Sequence, residues 1–290
     1  MIIDHNATQK LAVFLQKYNN YVVVIDSVVQ ELYSAKFAGF KNIISIKSDE
    51  HNKTIEKAIE LTNEFNKLNI RRNDCVVCVG GGIIGDLAGF AASIYLRGID
   101  YIQVPTTLLA MVDSSIGGKT GVNTESGKNL LGTTIASQEI FCDLDFLDNL
   151  PKQLVTDGMG EIIKHAFISD LELIRAIENE GLSKENILRA AKVKIDIVKM
   201  DPYEKDERRY LNVGHTFAHA IEKAENYQIS HGEAVAIGMQ METDLAHKIG
   251  LISETNYQFI LQAVSRILSP RKYRVNDIEK FLEFLKKDKK

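Results

Sequence analysis

The sequence predicts an α/β domain followed by an almost entirely helical domain, and two changes along the chain support this prediction. The first 150 residues hold 12 of the 19 glycines and alternate short β-branched runs with amphipathic stretches, as α/β domains do. The remaining 140 residues include 44 charged ones, and their apolar residues recur at spacings of three and four, which indicates helices. We place the boundary near Leu150 and Pro151, which gives domains of residues 1–150 and 151–290.

Four short apolar runs are predicted to form the parallel sheet of the first domain. They are residues 21–26, 43–46, 75–79 and 101–104. Each run is short and mainly apolar without alternation, which is typical of strands covered by helices on both faces. Residues 54–68 place Ile55, Ile59 and Phe65 on one stripe with helical periodicity, so a helix is expected between the second and third strands.

Charge and composition exclude several classes of protein. The chain has 290 residues, and its 35 basic and 39 acidic residues give a net charge of −4, so no basic field favours nucleic acid or an anionic membrane. No apolar run approaches the roughly 20 residues that a membrane span needs. The three cysteines are an odd number in a chain without a recognisable signal peptide, which favours a reducing compartment. We therefore expect a cytoplasmic protein that binds neither nucleic acid nor membrane.

A glycine-rich turn follows the third predicted strand. In the segment VVCVGGGIIGDLAGF, residues 76–90, an apolar strand runs into three glycines and then into a helical pattern. Gly80, Gly82 and Gly85 match the first spacings of a dinucleotide-binding motif, and such a turn lets the amides of a helix N-terminus face a phosphate. An ordinary tight turn is the alternative interpretation of the same residues.

Asp26 lies at the end of the first predicted strand. An acid at this position can accept hydrogen bonds from both hydroxyls of an adenosine ribose and would repel a 2′-phosphate, which favours NAD over NADP. The alternative is that Asp26 caps the helix that follows. Cys75 and Cys78 are poor candidates for a metal site, because residues three apart on a strand point to opposite faces.

Residues 104–132 form the most unusual stretch of the chain. The segment VPTTLLAMVDSSIGGKTGVNTESGKNLLG is dense in Thr, Ser, Gly, Asn and Lys, with apolar pairs between them. A long irregular segment inside a compact domain is usually functional, so we expect a functional loop here. Its candidate residues are Asp113, Lys119, Lys128 and Asn129.

The second domain contains a group of histidines and an acid that could bind a metal. Helical spacing puts Glu161, Lys164 and His165 on one face of their helix, and it puts His215 and His219 one turn apart on another. His231 begins a further helical pattern. Two histidines and one carboxylate are a common ligand set of open catalytic sites. Spacing alone favours His215 with His219 and leaves the third ligand open among Glu161, His165 and His231.

Basic residues accompany the histidines. Arg208 and Arg209 directly precede the first histidine segment, and Lys164 and Lys194 lie upstream. In an acidic protein, such a cluster suits a substrate with carboxylate or phosphate groups. A phosphate cradle, an acid for NAD, a metal triad and a basic cluster together indicate the oxidation of a small anionic alcohol.

These motifs together resemble the 3-dehydroquinate synthase family of sugar-phosphate cyclases. The matching segments are GGGIIGDLAGF, YLRG, VPTTLLAMVDSSIGGKTGVN, GKNLLG, GEIIKH, LNVGHTFAHAIE and HGEAVAIGM, and they occur in the family's order from about Asp26 onward. The resemblance implies an N-terminal Rossmann-like NAD-binding domain, an all-α C-terminal metal-binding domain, an active site between them and a homodimer.

The resemblance also implies site residues by motif position. The metal ligands would be Glu161, His215 and His231, which leaves His219 to contact the substrate and handle protons. On the NAD side it implies Asp26, Glu50, Lys53, Gly81, Gly82, Asp86, Thr106, Thr107 and Phe146, together with Asp113 and Lys128, which are also implied on the substrate side. On the substrate side it implies Arg97, Lys119, Asn129, Lys164, Lys194, Arg208 and Asn212, and a lysine near Lys289.

The family's reaction converts the small anionic sugar phosphate 3-deoxy-D-arabino-heptulosonate 7-phosphate to 3-dehydroquinate and inorganic phosphate. The resemblance implies NAD, which is returned unchanged, and a divalent metal, Zn²⁺ or Co²⁺, as cofactors. The chain departs from the family in three places: it ends several tens of residues early, residues 133–138 read TTIASQ, and Asn149 replaces a threonine. None of these departures removes a predicted ligand or charge, so activity is expected.

Three alternatives remain open on the sequence. The first is another sugar-phosphate cyclase, of the inosose or valiolone type, since these share the NAD and metal motifs. The second is a metal-dependent NAD alcohol dehydrogenase, which would release NADH. The third is an NAD-binding protein without enzymatic activity.

Overall fold

The computed structural model describes residues 1–287, which form two compact units. The first unit is Met1–Leu150, and the second begins at Pro151. Lys289, which the resemblance places near the substrate, lies outside the described residues.

The first unit is built on a six-stranded parallel sheet, whose strands are β1 (Ile2–Asp4), β2 (Tyr21–Asp26), β3 (Ile43–Ile46), β4 (Cys75–Gly80), β5 (Asp100–Pro105) and β8 (Glu139–Asp143). Their order across the sheet is β1-β8-β5-β4-β2-β3. Two further strands, β6 (Lys119–Thr124) and β7 (Gly127–Thr134), form a separate antiparallel hairpin. The helices of this unit are α1 (Ala7–Phe14), α2 (Ser27–Leu32), α3 (Ser34–Phe37), α4 (Ile55–Lys67) and α5 (Gly82–Ile94).

The four predicted strands are confirmed. β2 and β3 have the predicted bounds, and β4 and β5 extend one or two residues beyond them. The predicted helix at residues 54–68 is α4, and Thr54 caps it by accepting a hydrogen bond from the Lys57 amide at 3.3 Å. β4 is buried along its whole length, which explains its continuous apolar run.

The sheet reverses its direction of growth between β2 and β4. From β2 the chain first adds β3 on one side and then returns to add β4 on the other. In open α/β sheets, ligands bind at the carboxyl ends of the strands beside such a reversal. Ile25 pairs with Val79 across this boundary, so the predicted acid and the glycine turn follow adjacent strand ends.

The prediction that residues 104–132 form a long irregular loop is wrong, because most of the segment has regular secondary structure. A π-helical turn covers Ala110–Ser114, and β6 and β7 then form the hairpin. Most of β7 is exposed, and both strands are rich in Gly and Thr, so the apolar alternation of a strand is missing from the sequence. β6 packs on α5, where Gly89 leaves room for the Thr120 side chain.

Two sheet strands, β1 and β8, were also absent from the prediction. β1 has only three residues, and β8 begins with the half-buried Glu139 and ends with Asp143, so neither presents a long apolar run. They pair in parallel, with Ile3 beside Cys142.

The three cysteines are free and buried in the sheet of the first unit. Cys75 and Cys78 lie on β4, and Cys142 lies on β8. Burial raises the pKa of all three thiols well above the ordinary value. The thiols are therefore protonated and unreactive at neutral pH.

The second unit is helical, as predicted, in its described part. Its helices are α6 (Lys152–Ser169), α7 (Glu172–Glu180), α8 (Lys184–Met200), α9 (His215–Ala224), α10 (His231–Lys248), α11 (Glu254–Leu268) and α12 (Ile278–Lys287), with a 3-10 helix at Glu207–Asn212. α10 packs against α6, α9 and α11, so it is the central helix of the unit. Within residues 1–287, no helix has both the length and the hydrophobicity needed to cross a bilayer.

Candidate active site

The carboxyl edge of the sheet brings together several residues predicted to bind NAD. Asp26 ends β2, Gly81 caps the N-terminus of α5 directly after β4, and Thr106 follows β5. The Thr106 amide donates to the carbonyl of Gly80 at 3.0 Å, which holds the two strand ends together. Thr107 accepts a hydrogen bond from the Ala110 amide at 3.2 Å and so starts the π-helical turn.

Close packing explains the glycines of this turn. A Cβ on Gly81 would lie 3.1 Å from Thr107 Cγ2, and one on Gly82 would lie 3.2 Å from Ser114 Oγ. The side chains of Thr107 and Ser114 therefore favour glycine at these two positions. The phosphate cradle at this helix N-terminus stays a prediction.

Asp26 caps α2, as the alternative interpretation expected. Its Oδ1 accepts a hydrogen bond from the Val28 amide at 3.0 Å. Burial raises the pKa of the Asp26 carboxyl, while hydrogen bonds from Val28 and Ser48 oppose the rise. The cap uses one of the two carboxylate oxygens. A hydrogen bond from Asp26 to the ribose of NAD therefore stays a prediction.

A polar network joins the hairpin to the segment after β3. The Asn123 side chain donates to Glu50 Oε1 at 2.7 Å, and Lys128 Nζ lies 3.7 Å from the same oxygen. The Asn129 amide donates to the Asn123 side chain at 3.0 Å, and Asn129 has a left-handed backbone with φ of 55°. Three residues of the predicted site therefore share one network around Asn123.

A second ion pair and a cavity adjoin the hairpin. Buried Lys53 contacts Asp86 on α5, with Nζ and Oδ2 2.6 Å apart. A cavity of about 380 Å³ is lined by Asp86, Lys119 and Asn129 together with further residues of β6 and β7. Asp113 lies in the π-helical turn and is half-buried. The cavity has space for a small polar ligand.

Two predicted site residues, Phe146 and Arg97, are not positioned as the family resemblance implies. The Phe146 ring is buried against Tyr33 and Phe37, with ring centroids 5.0 and 6.3 Å away, so only its backbone could face a ligand. Arg97 follows α5 and precedes β5, at the amino edge of the sheet, and its side chain is exposed. The thirteen residues of α5 carry the chain away from the glycine turn, so the first unit does not bring Arg97 to its carboxyl edge.

In the second unit, one carboxylate and two histidines converge. Glu161 on α6, His215 at the start of α9 and His231 at the start of α10 offer ligand atoms within 4.8 Å of one another. Glu161 Oε1 lies 3.4 Å from Nε2 of each imidazole. The pair favoured by spacing, His215 with His219, is therefore not the grouping that the structure forms, although their rings are 5.6 Å apart.

His165, which was also a candidate third ligand, contacts the backbone of another helix. Its side chain is fully buried, and its Nδ1 lies 3.1 Å from the Ala190 carbonyl on α8. It therefore links α6 to α8 within the core of the second unit.

Each histidine of the cluster is held through its other ring nitrogen. His215 Nδ1 lies 3.1 Å from the Val213 carbonyl, and His231 Nδ1 lies 3.2 Å from Glu222 Oε1. An acceptor at Nδ1 keeps a proton there and directs the Nε2 lone pair into the cluster, as in metal sites. Neither Val213 nor Glu222 was a predicted site residue.

Charges around the cluster favour an ionised carboxylate. Burial alone would raise the pKa of Glu161, but the adjacent Lys164 ammonium and the two imidazoles hold it well below the ordinary value. Burial and Lys164 lower the pKa of His215. For His231, burial is outweighed by Glu161 and Glu222, which raise the pKa to about 10.

The cluster fits a divalent cation such as Zn²⁺ or Co²⁺. Among the described residues, the buried Glu161 Oε1 has no hydrogen-bond partner, although two imidazole nitrogens face it. A buried carboxylate oxygen without such a partner is costly unless an ion satisfies it. One oxygen and two nitrogen donors form an open catalytic ligand set for these metals.

Glycines next to Glu161, His215 and His231 let the helices that carry these residues approach one another closely. A Cβ on Gly160 would lie 3.0 Å from Gly232 Cα, and a Cβ on Gly232 would overlap the α6 backbone, 2.5 Å from the Thr156 carbonyl oxygen. Gly238 is in similarly close contact with the Gly214 carbonyl. Gly160, Gly214 and Gly232 each adjoin a residue of the cluster, so backbone contact between α6, α9 and α10 sets its geometry.

The predicted anion-binding residues of the second unit lie on elements that contact one another. Lys164 is on α6, Lys194 is on α8 and Arg208 is in the 3-10 helix, and all three are buried. Arg208 donates to the Pro202 carbonyl at 2.6 Å. Asn212 donates to Glu204 Oε1 at 3.0 Å.

Sequence reasoning missed two carboxylates of this unit, Glu204 and Glu222. Glu204 lies in the irregular segment before the 3-10 helix, with a left-handed φ of 58°, so no pattern marks it. Glu222 carries a usable signal, because it lies seven residues after His215 and therefore on the same face of α9.

Comparison with known proteins matches both units to one family. Two family models match, "3-dehydroquinate synthase N-terminal" over residues 43–157 and "3-dehydroquinate synthase C-terminal" over residues 158–290. A 3-dehydroquinate synthase of Campylobacter fetus subsp. fetus is 44% identical over 227 residues, which cover 76% of this chain and 66% of that protein. One of Helicobacter pylori (strain P12) is 39% identical over 278 residues, covering 93% of this chain and 81% of that protein.

Solved structures of related cyclases share the fold. The 2-epi-5-epi-valiolone synthase of Streptomyces hygroscopicus subsp. jinggangensis, with NAD⁺ and Zn²⁺ bound, has a TM-score of 0.87 and 29% identity, covering 98% of this chain and 84% of that one. A 2-deoxy-scyllo-inosose synthase complexed with carbaglucose-6-phosphate, NAD⁺ and Co²⁺ has a TM-score of 0.88 and 27% identity, with coverage of 99% and 85%.

Proposed function

The chain belongs to the 3-dehydroquinate synthase family, and from this premise we propose that it converts 3-deoxy-D-arabino-heptulosonate 7-phosphate to 3-dehydroquinate and inorganic phosphate. The observation that carries the proposal is the buried Glu161 oxygen facing Nε2 of His215 and His231. A carbon–oxygen lyase that oxidises its substrate transiently needs such a metal site together with NAD.

Two observations favour this substrate over those of the other cyclases. The curated relatives above are all named 3-dehydroquinate synthase and are more similar in sequence than the two solved cyclases. Arg208 and Lys194 are buried on contacting elements of the second unit, which suits a carboxylate.

A bound divalent metal would supply a Lewis acid that lowers the pKa of a substrate hydroxyl, and bound NAD⁺ would supply a reversible hydride acceptor. Glu161, His215 and His231 would hold the metal. Lys164 neutralises the buried Glu161 carboxylate and adds a positive charge near an anionic substrate. The proximity of the His219 ring to His215 supports a proposed role of His219 in moving a proton beside the ligands.

The remaining predicted residues bind and orient the reactants. Lys119 and Asn129 line the cavity of the first unit, and the glycine turn with Asp26 is the proposed NAD site. Lys194 and Arg208 would hold the anionic groups of the substrate, so that phosphate elimination and ring closure occur in one orientation.

The direct test measures phosphate release from 3-deoxy-D-arabino-heptulosonate 7-phosphate by purified protein with NAD⁺ and Zn²⁺ or Co²⁺. Metal-dependent release without accumulation of NADH at 340 nm is expected, and a chelator should abolish it. Stoichiometric NADH would instead indicate an alcohol dehydrogenase. Turnover of only a sugar phosphate without a carboxylate would indicate an inosose- or valiolone-type cyclase.

An Arg208→Ala variant is expected to weaken substrate binding. Loss of a buried charge-assisted contact costs about 2–4 kcal/mol, so kcat/KM should fall by some tens to hundreds of fold while NAD affinity is retained. Exposed Arg209 offers the matched control, and Arg209→Ala should change kcat/KM little. Equal kcat/KM values for the two variants would remove Arg208 from the substrate site.

The two roles of Asp26 can be separated by substitution. Serine is nearly as good a helix cap as aspartate, so Asp26→Ser should leave the melting temperature almost unchanged. It cannot offer a carboxylate to the ribose, and loss of hydrogen bonds to a charged group should raise the Kd for NAD⁺ about 10- to 100-fold. Isothermal titration calorimetry checks this, and an unchanged Kd would leave Asp26 as a cap only.

The family resemblance also implies a homodimer that works in the cytoplasm. Exposed Arg97, away from the carboxyl edge of its own sheet, is compatible with a contact to a second subunit. Light scattering coupled to size-exclusion chromatography tests the oligomeric state, and a monomer at assay concentrations would contradict the dimer.

A further inference from the structure

We propose that Glu222 is a positioning residue for the metal ligand His231. Its carboxylate holds the imidazole with Nε2 turned towards Glu161 and strengthens the binding of a divalent cation. This inference deepens the proposed function and rests on it, because it concerns the metal site of the same reaction.

The contacts of the His231 ring support this role. Nδ1 lies 3.2 Å from Glu222 Oε1, and Nε2 lies 3.4 Å from Glu161 Oε1, so a carboxylate meets each nitrogen. A cation must take the lone pair of Nε2, which requires the remaining ring proton to stay on Nδ1. Glu222 accepts that proton's hydrogen bond and thereby fixes both tautomer and ring orientation.

The two histidines of the cluster differ in how they are held. The acceptor for His215 is the carbonyl of Val213, two residues earlier in the same chain segment. The acceptor for His231 comes from another helix, since Glu222 is on α9 and His231 begins α10. The orientation of His231 therefore depends on a side chain that substitution can remove, whereas that of His215 depends on the backbone.

The charges around the cluster also assign an electrostatic role to Glu222. Glu161 and Glu222 are carboxylates, and Lys164 contacts Glu161 with a positive charge. In the cation-bound state both imidazoles are neutral, and these groups then sum to one negative charge apart from the cation. Without the Glu222 carboxylate they sum to zero, so Lys164 would fully offset Glu161 and attraction of a divalent cation would weaken.

The test is a titration of metal-free protein with Co²⁺ in competition with a chromophoric chelator. It compares the wild type with Glu222→Ala, which removes the acceptor, and Glu222→Gln, which keeps an acceptor but not the charge. The matched control is Glu254→Ala. Glu254 also contacts a histidine, with Oε2 3.0 Å from His247 Nε2, but His247 lies at the other end of α10.

We expect Glu222→Ala to weaken Co²⁺ binding about 10- to 100-fold and to alter the visible absorption of bound Co²⁺. Glu222→Gln should lose less affinity, and Glu254→Ala should bind as the wild type does. Circular dichroism of the metal-free proteins checks folding. If Glu222→Ala does not fold, the Glu222→Gln affinity decides the test.

Two outcomes overturn the inference and can be told apart. Wild-type affinity and spectrum in both Glu222 variants, with binding still lost in a His215→Ala protein, would remove the positioning role and leave the proposed function intact. Co²⁺ binding that is equal in the wild type and in His215→Ala would show that the cluster is not the metal site, and the proposed function would fail with it.

Discussion

A His215→Ala protein is expected to lose its metal and its activity together. His215 offers one of the three ligand atoms of the candidate metal site, and its ring is buried beside Glu161. Two remaining ligands hold a divalent ion much less tightly, and without the Lewis acid the substrate hydroxyl is not activated. We expect less than one equivalent of metal after gel filtration and a fall in kcat of at least about 10³-fold.

The measurement is metal content by inductively coupled plasma mass spectrometry, together with phosphate release. His247→Ala is the control, because it removes an imidazole of the same unit at the far end of α10. Full metal content in His215→Ala would contradict the assignment of Glu161, His215 and His231. Full metal content with lost activity would give His215 a role in chemistry instead of metal binding.

A Gly232→Ala substitution is expected to disrupt the second unit. A Cβ at this position would overlap the backbone of α6 at Thr156 and Asp157, and backbone atoms of a packed helix cannot move aside cheaply. The Gly232 amide also donates to the Asp157 side chain at 2.8 Å, so displacement would break the contact that begins α10. We expect a loss of about 3 kcal/mol of stability.

Thermal unfolding and Co²⁺ titration measure this effect. A loss of that size should lower the melting temperature by roughly 6–12 °C, and Co²⁺ affinity should fall because His231 moves with the start of α10. The matched control is Gly39→Ala, since a Cβ at Gly39 would meet no atom within 4 Å. A melting temperature equal to that of the control would mean that α6 and α10 tolerate a wider separation.

The strands of the first unit were predictable where the sequence contains a mainly apolar run. β2 and β4 are covered on both faces, and their continuous apolar runs identify them from sequence. β7 contributes its backbone to a hairpin while most of its side chains stay exposed, so hydrophobic periodicity does not mark it. The hairpin is specified by glycine positions and hydrogen bonds, which periodicity does not detect.

The cluster of Glu161, His215 and His231 was likewise only partly predictable from spacing along the sequence. His215 and His219 are four residues apart on α9, so their proximity follows from helical geometry alone. Glu161 and His231 reach His215 only because Gly160, Gly214 and Gly232 permit close packing between helices. Spacing along one helix carries no information on such contacts, so it favoured His219 and left the third ligand open, and only the family resemblance implied Glu161 and His231 as the partners of His215.

The burial of every cysteine has a practical consequence for chemical labelling. All three thiols lie inside the sheet of the first unit and are protonated at neutral pH, so maleimides and mild oxidants should leave the native protein unmodified. Soft metals such as Cd²⁺ likewise find no accessible thiolate, and their uptake would report on the imidazole–carboxylate cluster. A single cysteine introduced on the exposed face of β7 would then carry a fluorophore selectively, with no need to remove the native thiols.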